Sequence, residues 1–274
     1  MRRTGARSWL KTLAGLLILA FFLFPLYWML NASLQSSSAL FQVPPAWFPT
    51  HPSLVGYDSA LHSQVPHLVT SLIIATGTVG LTLALAAPAA YALAHFRMRF
   101  AFVLVLGLLL IQVVPGVVIA NSLYSVFTDL HLVNTYWGLI IADSSLAFPF
   151  AILILRAYME TLPRSLTEAA LIDGAGYWRI LWSIVIPVSR NALITAAMFS
   201  FLFAWADFLF AVTLTTRDTI MPITVSIYRY IGVTTADWNS VLASAVLASI
   251  PAAVLLVTAQ KYISAGITGG AVKD

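Results

Sequence analysis

The stretch Pro163-Arg164-Ser165-Leu166-Thr167-Glu168-Ala169-Ala170-Leu171-Ile172-Asp173-Gly174, continued to Ile186-Pro187, decides how this chain reads. Ser165 with Glu168 three residues later has the form of a capping box, so a helix is expected to begin there. Gly174 suits the left-handed position that ends a helix. Beyond it Trp178, Leu181, Trp182 and Val185 fall at i, i+3, i+4 and i+7, which predicts a second short helix with one apolar face. Pro187 is expected to stop that helix. The stretch therefore predicts a helix-turn-helix with a knob of small residues at its centre. Such an element could seat in a groove of another protein, or lie as an amphipathic interfacial loop with Glu168 only a cap.

Outward from this polar island the chain is strongly apolar. Hydrophobic residues make up 60% of the 274 and charged ones 9%, against roughly 25% charged in soluble domains, and the mean hydropathy is +0.92. A bilayer core of about 30 Å needs roughly 20 apolar helical residues. Six segments qualify, at about 12–30, 68–94, 100–122, 137–155, 191–214 and 241–260. None alternates with period two, which excludes barrel strands. The expected class is an all-α integral membrane protein with six transmembrane helices. Arg2, Arg3, Arg7 and Lys11 precede the first span without an A-x-A site after it, so it reads as a signal anchor rather than a cleaved secretory signal.

Orientation follows from the basic residues. With the N-terminus inside, Arg2, Arg3, Arg7, Lys11, Arg97, Arg99, Arg156, Arg164, Arg179, Arg190, Lys261 and Lys273 are cytoplasmic, and only Arg217 and Arg229 are outside. Both termini are then expected in the cytoplasm. The Pro-rich segment 31–67 becomes a periplasmic excursion, and 156–190 a cytoplasmic loop.

Several chemistries are excluded. With no Cys, disulfides and thiolate sites are impossible. Lys11, Lys261 and Lys273 do not follow a Gly, so there is no P-loop. No metal-ligand spacing and no Gly-x-Ser-x-Gly elbow occur, and no dense basic tract points to nucleic acid. Ionisable groups within spans are functional candidates by default. Asp207 in the fifth span and Asp143 near the start of the fourth, with Gln112 and Asn121 on the third, could line a polar path for sugar hydroxyls. Otherwise Asp143 sits at headgroup level and Asp207 bonds a neighbouring helix. Pro115-Gly116 and Pro149 suggest kinks, and Trp28, Trp137 and Trp238 read as interfacial belt residues.

The loop resembles the signature of permeases of ATP-binding-cassette (ABC) importers: Glu-Ala-Ala, three residues, Gly, nine residues, Ile, one residue, Leu-Pro. Here Glu168-Ala169-Ala170 is followed by Gly174, Ile184 and Ile186-Pro187, with Ile186 in place of Leu. Ala89-Ala90-Tyr91-Ala92-Leu93-Ala94 with Phe96 and Arg97, and the tail Ala265-Gly266-Ile267-Thr268-Gly269-Gly270-Ala271-Val272-Lys273, are similar to carbohydrate-uptake members, notably the six-span subunit of the maltose type. Two positions depart: Thr70 where Asn is frequent, and Trp205-Ala206-Asp207-Phe208 where Trp-Asn-(Asp or Glu)-Phe is frequent.

The resemblance implies the type I importer permease fold in a prokaryotic inner membrane. It makes the loop a coupling helix, with Glu168, Ala169, Ala170, Asp173, Gly174, Ile184 and Pro187 at the ATPase contact. It implies as partners a homologous permease in a heterodimer, two ATPase subunits holding ATP and Mg, and an extracytoplasmic substrate-binding protein. That last partner is expected against outer segments including the stretch from Thr215 to Asn239. No cofactor is expected on this chain. The alternative is an ion-coupled secondary transporter of a small polar solute, a class that usually shows repeated halves and midplane charges; neither is visible here. A membrane-embedded enzyme lacks any catalytic constellation.

Overall fold

The computed structural model describes residues 4–96, 98–233 and 237–268. Arg2, Arg3, Arg97 and Lys273, and the tail from Gly269 onward, lie outside them. All regular elements among the described residues are helical. They run α1 (Thr4–Ser33), α2 (Val55–His95), α3 (Ala101–Ile111), α4 (Gly116–Asp129), α5 (Tyr136–Met159), α6 (Arg164–Ile172), α7 (Tyr177–Ile180), α8 (Ile186–Val188), α9 (Arg190–Ala206), α10 (Leu209–Leu214), α11 (Ile223–Val233) and α12 (Trp238–Thr268).

Four helices, covering Trp9–Ser33, Val55–His95, Tyr136–Met159 and Trp238–Gln260, are long and apolar enough to cross a membrane. Two bent pairs raise this to six if each is one span: α3 with α4, bent by 96°, and Tyr177–Val188 with α9, bent by 82°. The third predicted span is therefore broken, and Pro115 is the residue that precedes α4. Proline lacks the donor that would continue the α3 ladder. Pro149 instead sits buried inside α5, whose helical assignment is unbroken. The fifth predicted span also divides, into α9 and α10, at Asp207 with its extended ψ of 131°.

The chain forms two compact units, residues 1–65 with 226–250, and 66–225 with 251–274. In the first, the irregular segment 34–54 is tied back to α1. Asn31 Nδ2 and Gln35 Nε2 both donate to the Ala46 carbonyl, at 3.0 and 3.1 Å, and the Tyr27 hydroxyl donates to the Trp47 carbonyl. Trp28 is half-buried and meets Trp47 edge-on at 5.9 Å, so it packs within the protein rather than serving only as a belt residue. Trp137 and Trp238 are exposed. Segment 31–67, expected as a periplasmic excursion of part loop and part interfacial structure, is helical from Val55, where α2 begins.

In the second unit α9 packs along α5, and α10 packs on α4 and α5. The contact faces are rich in alanine: Ala147 and Ala151 on α5, Ala192 and Ala196 on α9, Ala86 and Ala90 on α2. Small residues let backbones approach closely, which is how helices associate where lipid removes the hydrophobic drive. Phe150 locks the seam by meeting Phe199 and Phe203 edge-on, at 5.1 and 5.7 Å.

Candidate functional site

The polar loop builds two helical pieces around a tight turn. α6 begins after Pro163, two residues earlier than the capping box implied, and no side chain caps it. Ser165 is already inside the helix, and Pro163 sets the start because its fixed φ suits a helix entry. At the other end Gly174 has φ +80°. The Ala175 amide donates to the Ala170 carbonyl at 2.9 Å, and the Gly174 amide to the Leu171 carbonyl at 3.0 Å. These two bonds are the Schellman closure.

The second piece departs from a plain α-helix. Residues 181–185 form a π turn in which the Ile186 amide reaches back to the Leu181 carbonyl. A π turn brings i and i+5 onto one face, and the inward residues are accordingly Ile180, Leu181 and Val185. Trp178 and Trp182, expected on that face from 3.6-residue spacing, are 67% and 55% exposed. Pro187 does not stop the helix, since helical backbone runs through it to Val188. The turn into α9 falls at Ser189, with φ −84° and ψ 12°.

The signature residues thus divide. Glu168, Ala169, Asp173, Gly174 and Pro187 are exposed, whereas Ala170 is buried and Ile184 half-buried in the core beneath. The outward set leaves a small-residue surface flanked by Glu168 and by Ile172, which is 86% exposed.

A second polar locus lies at the α9–α10 break. Asp143 and Asp207 line one small cavity with Ser71 and Pro222, with about the room of a single water. Asp143 is only 4% exposed and makes no hydrogen bond among the described residues. Asp207 is half-buried, and its carboxylate accepts from the amides of Phe210 and Ala211 at 3.2 and 2.8 Å, capping α10. Its own carbonyl accepts from Thr224 Oγ1 at 2.6 Å. Gln112, at the end of α3, and Asn121, on α4, are exposed and do not line this cavity. The structure brings together two of the four predicted path residues.

Sequence reading missed the clasp beside them. His67 Nδ1 is hydrogen-bonded to the Met221 carbonyl at 2.9 Å, and Ser71 Oγ accepts from the Ile223 amide at 2.8 Å. His67 and Ser71 stand at i and i+4, on one face of an apolar helix. That spacing was the available signal. Among the described residues no three His, Asp or Glu side chains gather as a metal site.

The sequence profile described as "Binding-protein-dependent transport system inner membrane component" matches residues 80–269. This chain belongs to that family. Among similar proteins, the sulfoquinovosyl glycerol transport system permease protein SmoH of Agrobacterium fabrum is 30% identical over 266 residues, covering 96% of this chain and 93% of that protein. The trehalose/maltose transport system permease protein MalG of Thermococcus litoralis is 30% identical over 285 residues, covering 100% and 99%. Among solved structures, a chain of a bacterial ABC transporter involved in importing the acidic polysaccharide alginate superposes with a TM-score of 0.80. It covers 96% of this chain and 99% of that one at 22% identity, a likeness of fold. The family match takes in the polar loop and both Asp143 and Asp207.

Proposed function

We propose that this chain is the transmembrane permease subunit of an ATP-driven importer for a carbohydrate, joined to a second, homologous permease. Both termini and the α6–α8 loop lie in the cytoplasm, supported by the bias of Lys and Arg toward those segments. Six spans result when each bent pair is one crossing.

The observation that carries the reading is the outward face of α6. Glu168, Ala169 and Gly174 stand exposed on a helix fixed by a Schellman turn and backed by buried Ala170. Such a rigid, small-residue knob is suited to a cleft in a cytoplasmic ATPase subunit. Two such ATPases bind the ATP and Mg, and their closure rocks the spans between inward-open and outward-open states. A substrate-binding protein delivers sugar from outside, against segments including Thr215 to Asn239. Asp143 and Asp207 border the polar path for sugar hydroxyls. Gln112 and Asn121, exposed on this chain, are free to face the second permease.

The test is co-purification of tagged permease with its ATPase, together with sugar uptake in proteoliposomes. Exchange of Gly174 or Glu168 is expected to lower both. Uptake that survives ATP depletion and collapses with a protonophore would replace this reading with ion-coupled transport.

A further inference from the structure

A larger cleft opens in the second unit where the last turns of α2 meet α7. Pro88, Tyr91 and Phe96 form one wall and Tyr177, Trp178 and Leu181 the other, around about 260 Å³. Phe96 meets Tyr177 edge-on at 5.0 Å and Tyr91 at 6.0 Å. None of the lining residues is charged. Tyr91 is 4% exposed, yet its hydroxyl has no hydrogen-bond partner among the described residues.

Three arginines lie close along the chain to the elements that form this apolar space. Arg99 follows α2, Arg164 opens α6 and acts electrostatically on His95 in the last turn of α2, and Arg179 follows Trp178 on α7. All three are exposed, and none makes an ion pair among the described residues, although Glu168 and Asp173 share the loop.

The combination selects an occupant. A soluble anion finds no charge in the lining, and a free sugar finds only the polar tips of Tyr91, Tyr177 and Trp178 against mostly apolar walls. A partner helix, about 10–12 Å across, is too wide. An amphiphile with an apolar tail and a negative head fits both the walls and the rim, and basic pockets between membrane helices are where such heads bind.

We infer that the cleft holds an acyl chain of an anionic phospholipid, its phosphate held by the Tyr91 hydroxyl and these arginines. The inference rests on the proposed function in placing this joint at the cytoplasmic face of the membrane. A lipid seated there ties the end of α2 to the helix next to the coupling knob.

The test uses the assembled transporter, reconstituted in nanodiscs of phosphatidylglycerol or of phosphatidylcholine and released for native mass spectrometry. Retained phosphatidylglycerol on wild type, with phosphatidylcholine lost, is the expected result. Tyr91→Phe removes one hydroxyl and keeps every apolar contact, and should lower retention about tenfold, the weight of a hydrogen bond to a charged group. The double variant Arg164→Ala/Arg179→Ala should lower it further. Equal retention of both lipids, or retention unchanged in these variants, overturns the inference. Variants that release the ATPase while keeping their lipid overturn it too, by giving the cleft to a protein side chain. ATP-driven uptake in phosphatidylcholine proteoliposomes would keep the permease reading even if the lipid site failed.

Discussion

The amide of Ala175 bonds the carbonyl of Ala170 across Gly174, and this bond holds the end of α6 in place. At φ +80° a side chain at position 174 is strained even though no neighbouring atom blocks it. Gly174→Ala should cost about 1–2 kcal/mol locally and loosen the knob without unfolding the chain. Gly174→Asn, which tolerates the left-handed region better, should keep more function. ATPase recovered per permease and the uptake rate, compared with an unchanged melting temperature, check the order wild type, Asn, Ala.

Gly138 has a different constraint. A Cβ there would overlap the Leu132 carbonyl, which is backbone and cannot swing away. The same turn is held by Thr135, whose hydroxyl accepts from the Gly138 amide at 3.0 Å. Gly138→Ala should destabilise by about 1–3 kcal/mol and reduce the yield of folded protein. Gly107→Ala, where an added carbon meets nothing within 4 Å, serves as the control. Thermal midpoints in detergent separate the two.

In the first unit Asn239 Nδ2 donates to the carbonyls of Ser33 and Gln35, at 2.9 and 2.5 Å, from a buried position. Asn239→Ala strands these carbonyls at a cost of about 1–3 kcal/mol. Asn239→Asp is expected to be worse, since an acceptor then faces two acceptors. Faster cleavage of segment 34–54 in limited proteolysis, in the order wild type, Ala, Asp, would register the loosening.

Asp143 and Asp207 should respond differently although they share a cavity. Asp207→Ala removes a cap and should cost about 0.5–2 kcal/mol, with Asp207→Asn milder because one acceptor oxygen remains. Asp143→Asn removes an unpaired buried carboxylate and should leave the melting temperature equal or higher, while sugar uptake falls. A loss of stability in Asp143→Asn would show that an unseen partner holds the carboxylate.

Much was legible in advance because its causes are local in the chain. Long apolar runs demand helices in lipid, Gly174 marks a left-handed stop, and the spacing from Glu168 to Pro187 carries the likeness to importer permeases. Where the sequence misled, the cause was an unrecorded register change. A single extra residue in the turn at 181–185 moved Trp178 and Trp182 outward. No periodicity count sees such a change, because Ile180 and Val185 look like ordinary apolar residues. The breaks at Pro115 and Asp207 divided two spans that hydropathy reads as continuous.

The chain's own composition and spacing determined that it is a helical membrane protein, and placed the polar loop between its apolar runs. Tertiary structure alone decided which residues of that loop face outward, that Asp143 and Asp207 share one cavity without Gln112 and Asn121, and that Tyr91 and Trp178 line one cleft. The reason is physical. Helix formation depends on neighbours within a turn, whereas burial and pairing depend on residues scores of positions away, brought together only when the alanine-faced helices close.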